Sequence, residues 1–158
     1  MKIRLICSLV IMVVIMFMSQ PCNADDLADL KATHAEYPKA LNSHDVEKLF
    51  ELFYDEQIRV DQFGGFPSVL PNNEQVKAAW AGYFESLEIF RTTYYSIDYR
   101  VIGNTGLVWG IRTEVRKLKN RPTKNYLLST TIVYIKNDGK WKRVVTHSSP
   151  IISETRTP

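Results

Sequence analysis

The segment YLLSTTIVYIKNDGKWKRVVTHSS, Tyr126–Ser149, decides the fold. Its centre, Asn137-Asp138-Gly139-Lys140, is a hairpin signature. Asp-Gly tolerates the positive φ angles that a two-residue turn between antiparallel strands demands. Apolar and β-branched residues fill both flanks, so two long strands are predicted. A two-residue loop sets Lys136 opposite Trp141, Tyr134 opposite Arg143, Ile132 opposite Val145 and Thr130 opposite His147. One face then carries Trp141, Arg143, Val145, His147 and Ser149, beside Leu128, Thr130, Ile132 and Tyr134. The other carries Lys142, Val144, Thr146 and Ser148, beside Leu127, Ser129, Thr131, Val133 and Ile135. A slip of one residue would exchange the two sets.

Working outward, more strands precede this hairpin. Gln57–Phe63 alternates and stops at Gly64-Gly65. Thr92–Gly103 alternates Tyr95, Ile97, Tyr99 and Val101 against Tyr94, Ser96, Asp98 and Arg100. Gly103–Gly106 is a turn, and Leu107–Lys117 is the next strand. The basic run Arg116–Lys124 reads as a solvated hairpin loop, with Asn120 and Pro122 as turn residues.

Helical periodicity occupies the first half. Leu27, Leu30, His34, Tyr37 and Leu41 form one stripe, with Pro38 expected to bend or interrupt it. Asp45 caps a short helix carrying Val46, Leu49, Phe50 and Phe53. A third helix starts after Pro71, with Asn72 as cap and Gln75 three positions on. Its stripe is Val76, Ala79, Trp80, Tyr83, Phe84 and Leu87. Helices first, then a meander of antiparallel strands, give an α+β layout.

The chain has 158 residues, and its start reads as an export leader. Lys2 and Arg4 precede an apolar run, Leu5–Met18, and Cys22-Asn23-Ala24 precedes Asp25 as a small-residue cleavage pattern. Cleavage after Ala24 would leave residues 25–158 as a single domain in the periplasm or outside the cell, without a stable membrane anchor. The alternative, a retained anchor, suffers from the run falling short of the ~20 apolar residues a span needs. Both cysteines, Cys7 and Cys22, leave with the leader, so no disulfide or cysteine metal ligand remains. Lys2 and Arg4 leave too, so 20 basic residues become 18 against 17 acidic. That balance lacks the basic stripe of a nucleic-acid binder. Both sheet faces are partly apolar and the helices can cover only one, so a homodimer through the sheet is expected.

Three stretches, ALNSHDVEKLFELFYDE, NNEQVKAAWAGYFE and the hairpin segment, resemble the nuclear transport factor 2-like superfamily. The resemblance is closest to its SnoaL-like branch and to the association domain of calcium/calmodulin-dependent kinase. The family's ending is matched by Gly139, Trp141, Val144-Val145, His147 and Ser149. The resemblance implies a cone: a strongly bent antiparallel sheet wrapped round the third helix, with a pocket inside. Arg143 departs from the pattern, standing where the family usually has an aliphatic residue. It either lines the pocket as a charge or twists out to solvent.

Two residues are candidates for proton chemistry. His147 could act as acid, base or donor, or could be a structural histidine bonded to a neighbour such as Thr130. Asp61, turned into an apolar cavity, would become a stronger base able to remove a C–H proton. Several superfamily members are dehydratases or isomerases that use an acidic residue this way. As an exposed residue before Gly64-Gly65 it would be ordinary turn chemistry. Arg112 and Glu114 share a strand face. With Arg100 or Asp98 alongside they could hold a ligand's acidic group or form a surface ion pair of small value. Trp80, Tyr83 and Phe84 read as core residues, one or two of which would face the cavity as apolar wall, and Thr130 and Ser149 would supply polar contacts. His34, His44 and His147 lack ligand spacing, so no metal is expected, and no phosphate-cradling loop points to a nucleotide cofactor. Two functions are compatible with these features. One is a pocket for a small, largely apolar molecule, with or without isomerase or dehydratase chemistry. The other is a non-catalytic association module.

Overall fold

The structure is a computed structural model that describes residues 24–60 and 68–151. The expected export leader, as far as Asn23, and the candidate Asp61 lie outside the described residues. Three helices come first: α1 (Ala24–Ser43), α2 (Val46–Leu52) and α3 (Glu74–Glu85). The strands are β1 (Phe53–Val60), β2 (Ser68–Pro71), β3 (Leu87–Ile102), β4 (Thr105–Leu118), β5 (Lys124–Asn137) and β6 (Lys140–Pro150). They form one sheet in the order β2-β1-β6-β5-β4-β3. The result is the α+β cone expected from the sequence. The sheet is mixed, because β1 runs parallel to β6 while the other neighbours are antiparallel. A parallel pair needs a long crossover, and four strands and α3 lie between β1 and β6 in the chain. No described helix is long and apolar enough to cross a membrane.

Helix α1 runs through Pro38 without a break, against expectation. The stripe on both sides of the proline is held by packing: Leu30, His34, Tyr37 and Leu41 are all buried. Tertiary burial of an apolar face outweighs the lost backbone bond. The helix ends where His44 turns left-handed, at φ 58°. There His44 N–H donates to the Leu41 carbonyl and Asp45 N–H to the Ala40 carbonyl, a Schellman closure that satisfies two terminal acceptors. The His44 ring then stacks on Phe84, 4.7 Å between centroids. Asp45 caps α2 as expected, accepting from Lys48 N–H at 2.9 Å. The cap of α3 is Asn73, one residue later than expected. Asn72 is diverted to donate to the carbonyls of Phe50 and Phe53, tying α2 to the start of α3.

The hairpin register holds at the turn and fails beyond it. Asp138 and Gly139 adopt φ 48° and 74°, and Lys136 pairs with Trp141 and Tyr134 with Arg143 as expected. A bulge then follows: Val133 pairs with Val145, leaving Val144 as an extra residue. One extra residue reverses every side chain beyond it. Thr130 therefore faces Ser148 rather than His147, and Ser148 and Thr146 join the inner face. His147 and Ser149 move to the outer face, beside Thr131 and Ser129.

A second irregularity bends β3 between Tyr95 and Asp98, with Ser96 at φ 47°. Gly110 on β4 lies beneath it. A β-carbon there would stand 2.7 Å from the Ser96 carbonyl oxygen and 3.1 Å from the Ile97 Cα. Backbone cannot swing aside as a side chain can, so Gly110→Ala is expected to cost about 1–3 kcal/mol. In Gly82→Ala on α3 the new methyl meets nothing within 4 Å. That change is expected to be stabilising by up to ~1 kcal/mol through helix propensity. Urea midpoints of the two variants should move in opposite directions; a common shift would refute the packing argument.

Candidate functional site

Between α1, α3 and the inner face of β3 and β4 lies a cavity of about 630 Å³. Helix α3 supplies Val76, Ala79, Trp80 and Tyr83, the face predicted from its periodicity. Tyr37 and Leu41 come from α1, Phe90 from β3, and Leu70 and Pro71 from β2. The polar wall comes from alternate residues of one strand: Arg112, Glu114 and Arg116. Their spacing of two keeps all three on the inner face of β4.

Glu114 is 5% exposed and accepts from Arg112 Nη1 at 2.7 Å. Arg112 Nη1 also reaches the Thr92 hydroxyl at 3.3 Å, and Nη2 the Ser148 hydroxyl at 3.4 Å. Ser148 in turn shares a hydrogen bond with Thr130, whose hydroxyl donates to the His147 carbonyl. Burial opposes the Arg112 charge, but the field of Tyr94 and Glu114 prevails and the pKa is raised. Arg116 donates to the phenol oxygens of Tyr83 and Tyr126, at 3.2 and 3.1 Å. Burial opposes its charge as well, and those phenol contacts carry its pKa upward.

Behind this wall a second polar group is packed among aromatic rings. His34 bonds Tyr134 through Nδ1 at 3.0 Å and lies edge-on to Tyr94 and Tyr99. Burial, then the charge of Arg143, lowers its pKa from 6.5 to about 4. Arg143 is neither a cavity-lining charge nor a solvated one. It is 4% exposed, with its guanidinium carbon 3.9 Å from the centroid of the Tyr37 ring.

The sequence-predicted site residues divide into three groups. Trp80, Tyr83 and Arg112 line the cavity. Phe84 and Thr130 are buried behind it, Phe84 in the helical core against His44 and Thr130 beneath Arg112 as the partner of Ser148. His147 is exposed and Ser149 half-buried on the outer face, so the bulge at Val144 removes both from the cavity wall. Asp98 and Arg100, offered as partners for Arg112, are also exposed on the outer face. Arg116 falls where the expected strand Leu107–Lys117 and the expected loop Arg116–Lys124 overlap, and it is an inward strand residue. The alternation Arg112-Glu114-Arg116 was the signal that could have placed it. Ser148 carried no such signal, since only the bulge turns it inward. No group of three histidine, aspartate, glutamate or cysteine residues suited to a metal occurs among the described residues.

This architecture, a helix-filled cone with an open polar-floored cavity, defines the nuclear transport factor 2-like class, and solved structures agree. A provisionally named dehydratase of that family from Streptomyces avermitilis superposes with a TM-score of 0.67 at 19% identity, covering 82% of this chain and 98% of that one. A provisionally named calcium/calmodulin-dependent kinase II association domain from Exiguobacterium sibiricum gives 0.67 at 15% identity, covering 86% and 100%. A ketosteroid isomerase-like protein from Erwinia carotovora atroseptica gives 0.66 at 14% identity, covering 83% and 100%. The model of the SnoaL-like domain matches residues 30–153, and the chain belongs to that family. No curated protein matches it.

Proposed function

We propose that this chain is an exported cone that binds a small, largely apolar molecule between α3 and β4. The observation that carries the reading is a cavity walled largely by apolar and aromatic side chains, with a charged row on β4 and Asn73 and Gln75 at the start of α3 as its polar groups, the usual form of a small-molecule site. Export rests on the leader-like residues 1–24. The names of similar proteins, a dehydratase and a ketosteroid isomerase-like protein, support proton-transfer chemistry as an elaboration of the same site. In that version Asp61 is the base, since Glu114 already receives Arg112. A thermal-shift screen against a metabolite library tests the reading. Hits that raise the midpoint of the wild type should be lost in Trp80→Ala, and any turnover of a hit should be lost in Asp61→Asn with binding kept. Stabilisation that survives Trp80→Ala undiminished would place the ligand elsewhere.

A separate observation favours an association role for the opposite face. Tyr95, Trp109, Ile111 and Leu127 are 51%, 39%, 37% and 47% exposed. They are outer-face neighbours across β3, β4 and β5. An apolar cluster on a sheet face suits a second copy of the chain. Light scattering should then give a dimer mass that Ile111→Asp reduces to a monomer; a monomeric wild type would end this reading.

A further inference from the structure

Behind the Tyr37 side of the cavity wall lies a buried positive charge that no described carboxylate is seen to balance. Arg112 and Glu114 neutralise one another across 2.7 Å. Arg143 has no such partner. Its Nε and Nη2 donate only to the Thr146 hydroxyl, and Nη1 is buried without a hydrogen bond. The rings of Tyr37 and Phe53, 3.9 and 5.3 Å from its guanidinium carbon, offer their π faces. Ring quadrupoles offset only part of the cost of burying a lone cation. The field of that cation is felt nearby: it is the second cause, after burial, of the depressed His34 pKa. Tyr37 connects it to the cavity, because the ring that the guanidinium faces belongs to a side chain that also lines the void.

An unbalanced charge beside a low-dielectric void attracts the opposite sign far more strongly than it would in water. We infer that the cavity takes an organic carboxylate, its apolar body against Trp80, Tyr83 and Phe90 and its acid group toward the Tyr37 and Arg112 end. The inference rests on the ligand-binding reading above and adds the ligand's class. Arg143 acts here through its field and touches no ligand atom. Arg116 also lines the cavity, held by two phenols and 4.0 Å from Glu114, and the inference does not lean on it.

The test compares 2-naphthoate with its neutral isostere 2-naphthamide by isothermal titration calorimetry at pH 7. Wild type should bind naphthoate at least about tenfold more tightly than naphthamide, a factor worth about 1.4 kcal/mol. Arg143→Met should remove most of that preference while leaving naphthamide affinity unchanged, and Arg143→Lys should retain it. Naphthamide bound as tightly as naphthoate by the wild type would overturn the carboxylate inference and leave the ligand site standing. So would a preference unaltered in Arg143→Met. Should that variant fail to fold, the wild-type comparison still decides. Binding of neither probe counts against the ligand site itself and the inference with it.

Discussion

Replacing Glu114 by alanine is expected to lower the stability of the fold by about 3–5 kcal/mol, the usual result of removing one member of a buried ion pair. The side chains of Arg112 and Glu114 are 11% and 7% exposed, so water cannot take over the lost role. Arg112 would be left with hydroxyl partners alone, Thr92 and Ser148, neither of which can neutralise it. The double variant Arg112→Met, Glu114→Leu should recover much of the loss, because it removes both charges and restores apolar volume. Urea denaturation of the three proteins checks this. A single variant within about 1 kcal/mol of wild type would show that the pair is solvated and behaves as a surface pair.

Acid should weaken the protein through His34. Its pKa falls from 6.5 to about 4 on folding. The native state therefore holds the ring neutral in a range where the unfolded chain has already bound a proton. Stability is full above pH 6.5, declines as pH falls toward 4, and is unaffected by this group below that, where both states are protonated. The fall from 6.5 to about 4 corresponds to roughly 3 kcal/mol. His34→Gln keeps a polar partner for the Tyr134 hydroxyl and cannot titrate. Its stability should fall less steeply between pH 6.5 and 4 than that of the wild type. Parallel curves for the two proteins would remove His34 as the cause. The effect matters for a chain proposed to leave the cytoplasm, where pH is less closely held.

Part of the cavity wall, Trp80, Tyr83 and Arg112, was readable from spacing, and the failure on β6 can be traced to a single residue. The α3 stripe placed Trp80 and Tyr83 on the cavity because a helix repeats every 3.6 residues whatever surrounds it. Arg112 and Glu114 came out on one face because strands alternate. The same rule applied to β6 put His147 and Ser149 on the inner face, and it failed at Val144. A bulge leaves no mark in composition, since a β-branched residue serves equally well paired or extra. The error propagated to every residue after it, which is why the histidine-serine pair went outward and Ser148 inward. Pro38 misled for a different reason: its intrinsic cost is real, but the buried stripe of α1 exceeds it.

By itself the sequence determined the three helices, five of the six strands and their order, the Asp138-Gly139 turn, the cap at Asp45 and the shared face of Arg112 and Glu114 on β4. These depend on local backbone preferences and on a fixed side-chain period, both of which operate within a few residues. Only the tertiary structure decided the parallel join of β1 to β6, the bulges at Val144 and Ser96, the passage of α1 through Pro38, and the burial of Arg143 against Tyr37. Each is settled by contacts between residues distant in the chain, where packing against a bent sheet outweighs what any short segment prefers on its own.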